Sequence, residues 1–214
     1  MSLYAAANAG DLEQVTLLVE QGEDKNQVGG DSDNTALCIA ACRGYLEVVR
    51  YLVEQGADME KANRNGMTPL IWASARGHLE VTRYLLEQGA NRDKKVANDG
   101  YTSLHLAAYQ DHLEIAKLLM VYGADLNARS NHGYLPIDMA TNEEIKQAIR
   151  DEPRRRLDEA PGKRATEQDR HSSAAASASA QQDEDNNKQP AEESGEVADE
   201  DQDSEPSSDE EDGN

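Results

Sequence analysis

The chain has 214 residues, with 42 acidic and 21 basic side chains, a formal net charge of −21, and nine aromatic residues, none of them Phe. Such an acidic chain is a poor candidate for direct binding of nucleic acid, because phosphate contacts need clustered Lys and Arg. No apolar run approaches the roughly 20 residues that span a bilayer, and residues 1–10 lack the basic and apolar regions of a signal peptide, so we expect a cytoplasmic or nuclear protein with no membrane partner.

A repeat of 33 or 34 residues runs through the first part of the chain. Four segments of the repeat read GDLEQVTLLVEQG, GYLEVVRYLVEQG, GHLEVTRYLLEQG and DHLEIAKLLMVYG. Within them apolar residues recur at i, i+3, i+4 and i+7, as in Leu46, Val49 and Val53, which predicts an amphipathic helix in each. The glycine that follows each segment is typical of a left-handed helix cap.

A shorter helix is predicted before each of these segments. Its clearest copies are residues 67–73 and 101–107, where Thr68 and Thr102 stand at the helix start. Thr is a favourable N-cap residue, and Pro69 suits the first helical turn. Small residues follow, which allow close packing between helices. Each unit is therefore predicted to consist of a helix, a tight turn, a second helix and a polar hairpin.

These motifs resemble those of the ankyrin repeat family. The matching stretches are Gly66-Met67-Thr68-Pro69-Leu70, Gly77-His78-Leu79-Glu80-Val81, Gly56-Ala57-Asp58 and Gly123-Ala124-Asp125-Leu126-Asn127-Ala128. The resemblance covers about residues 2–150 and implies an all-α solenoid of paired antiparallel helices and hairpin loops. It implies three full repeats, near residues 30–62, 63–95 and 97–129, and a partial repeat at each end.

The last partial repeat, Gly133 to Ile149, is predicted to have a shortened and polar second helix, with Ile145 and Ile149 on its apolar face. We place the end of the repeat domain near Pro153. Residues 151–170 hold six acids and six bases, which indicates a mixed-charge linker.

Residues 171–214 carry 15 acids and a single base, Lys188, and their only branched aliphatic residue is Val197. Such a segment cannot bury enough apolar surface to offset its conformational entropy, which predicts a disordered acidic tail. Ser207 and Ser208 each have an acid three residues on and resemble acid-directed phosphorylation sites. Phosphorylation there would deepen the negative charge.

The residues of the chain do not assemble a predicted catalytic or metal site. Cys38 and Cys42 lie one helical turn apart, but no further Cys completes a zinc site, so we expect ordinary reduced thiols. His78 and Trp72 are predicted to be structural, with Trp72 in the core, and the resemblance implies a buried, hydrogen-bonding His105. We therefore predict no enzyme activity, no cofactor and no metal.

The resemblance instead implies a binding surface for a protein, made by hairpin tips and the exposed side of the inner helices. Tyr and Arg are enriched in interface hot spots, although Arg at a turn can also be a solubilising residue and Tyr can fill a groove. The chain is predicted to be a monomeric interaction module or adaptor whose partner the sequence does not identify. The predicted contact residues are Arg43, Arg64, Met67, Arg76, Tyr101, Tyr109, Gln110 and Tyr134.

The predicted acidic tail leaves three hypotheses open. It could act only as a solubilising segment. It could bind basic proteins, which would make the chain a chaperone or escort. It could also contact the basic residues Arg43, Arg64 and Arg76 of its own chain, weakly and in a salt-dependent way.

Overall fold

The computed structural model describes residues 1–159, and their side chains as far as Glu152. Within this range the chain forms ten helices and one short two-stranded ladder. The helices are α1 Leu3–Ala9, α2 Leu12–Glu20, α3 Ala36–Arg43, α4 Leu46–Glu54, α5 Pro69–Arg76, α6 Leu79–Glu87, α7 Ser103–Tyr109, α8 Leu113–Val121, α9 Pro136–Met139 and α10 Glu143–Glu159. Between α2 and α3, β1 (Val28–Gly29) pairs antiparallel with β2 (Asn34–Thr35).

The helices stack in two rows. The inner row consists of α1, α3, α5, α7 and α9, each in contact with the next, and the outer row consists of α2, α4, α6, α8 and α10. Each inner helix also packs against the outer helix that follows it in the chain. The predicted solenoid of helix pairs is confirmed, with each repeat contacting its neighbours.

Threonine residues precede α3, α5 and α7, as the sequence predicts for Thr68 and Thr102. Thr35 Oγ1 accepts a hydrogen bond from the backbone N–H of Cys38, and Thr68 Oγ1 accepts one from Ile71. These bonds satisfy donors that would otherwise lack a partner in the first turn. The helices end at the predicted glycines, with Gly44 after α3 and Gly77 after α5.

The core lies between the two rows and repeats with the sequence. Leucines at one inner and one outer position of each central repeat are at most 1% exposed; they are Leu37, Leu52, Leu70, Leu85, Leu104 and Leu119. Ala40, Ala73 and Ala107 are fully buried where the inner helices meet. Their small side chains let neighbouring inner helices approach closely, as predicted.

His105 joins α7 to the hairpin before α9. The backbone N–H of Thr102 donates to Nδ1 of His105 over 3.2 Å, and Nε2 lies 3.0 Å from the carbonyl oxygen of Tyr134. These bonds fit a neutral imidazole that carries its proton on Nε2. Burial lowers the pKa of His105 below its ordinary value of 6.5, because the charged ring loses its hydration.

We expect the stability of the fold to decrease as the pH falls below about 6.5. The unfolded chain binds a proton on His105 near that pH, whereas the folded chain binds it only at lower pH, so acid favours the unfolded state. The urea midpoint measured between about pH 5.5 and 7.5 should therefore rise with pH in the wild type. At pH 7.5 the urea midpoint of His105→Gln should be lower than that of the wild type. The midpoint of the variant should also rise less steeply with pH, because the variant lacks this titrating group. If the urea midpoints of the wild type and of His105→Gln rise equally steeply with pH, this role of His105 is contradicted.

The last repeat differs from the prediction. Its inner helix α9 has only four residues, whereas α10 has 17 and continues past Pro153 to Glu159. The expectation of a shortened second helix was wrong, although Ile145 and Ile149 are buried as predicted. Most residues after Pro153 in α10, such as Arg154 and Leu157, have high helix propensity, which explains why the helix extends into the predicted linker.

The rest of the predicted linker and the predicted acidic tail lie outside the described residues. Ser207 and Ser208 lie there as well, so their phosphorylation stays a prediction.

Candidate functional site

A pocket opens where the ends of α3 and α5 meet the hairpin tip that precedes α3. Its volume is about 580 Å³. It is lined by Ser32, Asn34, Ile39, Cys42, Arg43, Trp72, Arg76 and His78. We refer to it as the Arg43–Arg76 pocket. It brings together two of the predicted contact residues and adds Ile39, Trp72 and His78, which the sequence did not predict as contact residues.

Helix geometry places the two arginines. Arg43 is the last residue of α3 and Arg76 is the last residue of α5, so the packing of α3 on α5 puts them one repeat apart on the same side. The carboxyl end of a helix favours a positive charge. Both side chains are exposed, and neither forms an ion pair or hydrogen bond with another described residue. Gln110 occupies the next equivalent position, directly after α7, and is also exposed.

Trp72 forms part of the pocket wall. It lies four residues before Arg76 and therefore on the same face of α5, and the guanidinium carbon of Arg76 is 5.5 Å from the centre of a Trp72 ring. This is cation–π geometry. The indole Nε1 is shielded from solvent and has no hydrogen-bond partner among the described residues.

The sequence predicted a core position for Trp72, because a large apolar residue on an inner helix is usually buried. The structure places it half-buried in the pocket instead. The face that it shares with Arg76 is the exposed face of α5, and this face cannot be identified from residue type alone.

The lining of the pocket is cationic and partly apolar. Ile39 is 8% exposed and Cys42 is half-buried, and together with Trp72 they supply apolar surface. None of the residues that line the pocket is acidic. The pocket therefore combines two exposed guanidinium groups with an apolar wall.

Arg64 has a different role from that of Arg43 and Arg76. Its Nε and Nη2 both donate to Oδ2 of Asp33, over 3.1 and 2.8 Å, and its backbone N–H donates to the carbonyl oxygen of Ser32. It therefore links two neighbouring hairpin tips, and its charge is balanced by Asp33. An exposed pair of this kind contributes only about 0–1 kcal/mol to stability.

Met67 lies at the foot of the hairpin before α5 and is half-buried. Its backbone N–H donates to Oδ1 of Asn63, and its carbonyl oxygen accepts from the Asn63 N–H. The backbone of Met67 is thus held in the turn, while part of its side chain remains accessible.

Two of the three predicted tyrosines are well exposed. Tyr109 is 53% exposed at the end of α7, and Tyr134 is 49% exposed in the hairpin before α9. Tyr101 is half-buried, and the centre of its ring lies 5.7 Å from the centre of the His105 ring. The ring of Tyr134 lies 6.5 Å from that of His132, and no ring contact in the described part joins one tyrosine to another.

The two cysteines have unequal environments. Cys38 is buried, and its Sγ lies 3.3 Å from the carbonyl oxygen of Lys61. Burial raises the pKa of the Cys38 thiol, because a thiolate there would lose its hydration. Cys42 is half-buried in the pocket wall.

Over residues 1–152, no group of three His, Cys, Asp or Glu side chains has the arrangement that could hold a metal ion. None of the helices in the described range is long and apolar enough to cross a membrane.

Comparison with known families identifies a match over the repeats. The family model described as ankyrin repeats (three copies) matches residues 2–96 and 56–130, which together cover more than half of the chain. None of the curated proteins matches the chain.

Proposed function

The chain belongs to the ankyrin repeat family, whose repeats are protein–protein interaction modules, and on this premise we propose that it is a non-enzymatic adaptor. Its protein partner would bind to the face formed by the inner helices and the hairpin tips. The Arg43–Arg76 pocket and the exposed Tyr109 and Tyr134 lie on this face.

A difference between the two helix rows carries the proposal. On the outer helices, Arg50 pairs with Glu47, Arg83 with Glu80 and Lys117 with Glu114, each three residues apart. These three cations of the outer row are thus balanced on their own helix.

The inner row lacks this balance. The side chains of Arg43 and Arg76 form no ion pair or hydrogen bond with the described residues, and Tyr109 exposes half of its surface. Arg and Tyr are the residue types that most often dominate the energy of a protein interface. A partner that covers about 800 Å² on this side would extend well beyond the pocket, toward Tyr109 and Tyr134.

Site-specific crosslinking tests which row binds the partner. A photoreactive phenylalanine derivative would replace Tyr109 on α7 in one variant and Val121 on α8 in another. The two positions belong to the same repeat and are similarly exposed, at 53% and 64%. We expect a protein from cell extract to be crosslinked at position 109 and not at position 121, because only the inner position should lie in the interface.

The result is interpreted only if both variants fold. Their circular dichroism spectra and melting temperatures should match those of the wild type. A protein crosslinked at position 121 and not at position 109 would show that the outer row binds, and would contradict the proposal.

A chaperone or escort for basic proteins remains the alternative function. It depends on the acidic residues 171–214, which lie outside the described range. The cytoplasmic or nuclear location and the monomeric state remain predictions as well.

A further inference from the structure

We infer that the Arg43–Arg76 pocket binds an acidic segment of the protein partner. In this arrangement a carboxylate lies between the two guanidinium groups, and an apolar side chain of the same segment packs against Ile39 and Trp72. The inference rests on the proposed function and specifies the chemistry of the partner at this site.

Charge complementarity is the first argument. Residues 1–150 hold 21 acids and 14 bases, so the repeat region is negative as a whole. The pocket is an exception, with Arg43 and Arg76 in its lining and no carboxylate. A basic segment would be repelled locally, whereas a carboxylate can accept two parallel hydrogen bonds from a guanidinium group.

The second argument is that the guanidinium groups of Arg43 and Arg76 have no hydrogen-bond acceptor among the described residues. Arg64, on the neighbouring hairpin, is held by Asp33, to which its Nε and Nη2 both donate. Arg43 and Arg76 have no such acceptor among the described residues. Their donors are therefore available to a carboxylate that comes from outside the described fold.

Trp72 gives the third argument. Its Nε1–H is shielded from solvent and has no acceptor among the described residues, which is unusual for a buried donor. Because Nε1 is shielded, a bound segment would contact the accessible part of the indole ring rather than this donor. The ring and Ile39 also offer apolar surface, which favours an acidic segment with apolar residues over a pure polyanion.

The test uses the fluorescence of Trp72, which is the only tryptophan of the chain and lies in the pocket. The full chain is titrated at low ionic strength with a synthetic peptide that repeats Glu-Glu-Leu-Asp. We expect a saturable change in Trp72 emission that weakens at about 0.5 M salt, where charge interactions are screened within about 4–5 Å. A peptide that repeats Lys-Lys-Leu-Lys should give no saturable change. Emission that the acidic peptide leaves unchanged would overturn the inference.

Two double variants show whether the arginines hold the peptide. Arg43→Gln/Arg76→Gln removes two charges from the pocket, and we expect the affinity for the acidic peptide to fall about tenfold or more. Arg50→Gln/Arg83→Gln removes the same charge from the outer helices of the same two repeats, and should change the affinity less than about twofold. Equal losses in the two double variants would overturn the inference, because net charge alone would then explain the binding.

The outcomes separate this inference from the proposed function. If position 109 crosslinks to a partner but the acidic peptide does not bind, the inner face is the interface and its assigned chemistry is wrong. If position 121 crosslinks instead and the peptide does not bind, both are wrong. Each full-length sample contains the same residues 171–214, so the wild type and the variants are compared under equal conditions.

Discussion

Leu85→Ala should lower the free energy of unfolding by about 2–5 kcal/mol. Leu85 lies on α6 in the middle repeat and is fully buried, and α6 contacts both α4 and α8. Its truncation removes apolar contacts and leaves a cavity that the surrounding helices can fill only in part. Since a domain of this size is stable by only about 5–15 kcal/mol, the urea midpoint should fall markedly.

Leu17→Ala is the matched control for this prediction. Leu17 is 47% exposed on α2, so the same chemical change should alter stability by only about 0.5 kcal/mol or less. Leu70→Ala on α5, where the side chain is 1% exposed, should resemble Leu85→Ala. If Leu85→Ala and Leu17→Ala unfold at the same urea concentration, Leu85 is not a core residue and the packing described above is wrong.

Gly66→Ala should be the second strongly destabilising change. Gly66 has φ +79°, a left-handed conformation that costs an L residue about 1–2 kcal/mol. In addition, a Cβ at Gly66 would overlap the backbone nitrogen of Ala97, whose N–H donates to the carbonyl oxygen of Asn65. The next hairpin would have to shift, which should add about 1–3 kcal/mol to the loss.

Comparison with Gly133→Ala separates the overlap with the next hairpin from the cost of the left-handed conformation. Gly133 occupies the same place in the last hairpin and has φ +84°, but a Cβ there would have no described atom within 4 Å. In both variants the left-handed conformation should lower the free energy of unfolding. Only in Gly66→Ala should disturbed packing between neighbouring hairpins lower it further. Equal free energies of unfolding for the two variants, measured by urea denaturation, would show that the hairpins do not pack as closely as described.

The sequence predicts the repeating part of the fold well, because a solenoid uses the same contacts in each unit. The apolar positions of one repeat identify Leu70 and Leu85 as core residues, and both are buried. The threonines before the inner helices and the glycines after them mark the helix ends for the same reason. The predicted inner-face positions of Arg43 and Arg76 also follow from the period, since both end an inner helix.

The features that the sequence did not predict depend on contacts outside the repeat pattern. Arg64 pairs with Asp33, which is 31 residues away on another hairpin tip, and the conformation of that tip decides whether the two can meet. Trp72 has the residue type of a core position but lies on the exposed face of α5. The length of α10 was missed because Pro153 suggested a helix end, whereas the residues after it favour a helix.

The candidate site is affected by these differences. Without the pairing of Arg64, the sequence suggests a stripe of three equivalent cations. With it, two of these three arginines remain without an ion pair in the described structure, and they share one pocket with Trp72. This local grouping is the basis for assigning an acidic segment, rather than any protein surface, to the pocket.

The central claim is that the partner binds the inner row of helices. The most direct test is the ratio of crosslinked partner obtained with the photoreactive residue at position 109 to that obtained at position 121. The two positions belong to the same repeat and are similarly exposed. The ratio therefore depends on which row of helices contacts the partner, and not on the accessibility of the two positions. We predict a ratio far above one, and a ratio near or below one, in variants that fold like the wild type, would contradict the claim.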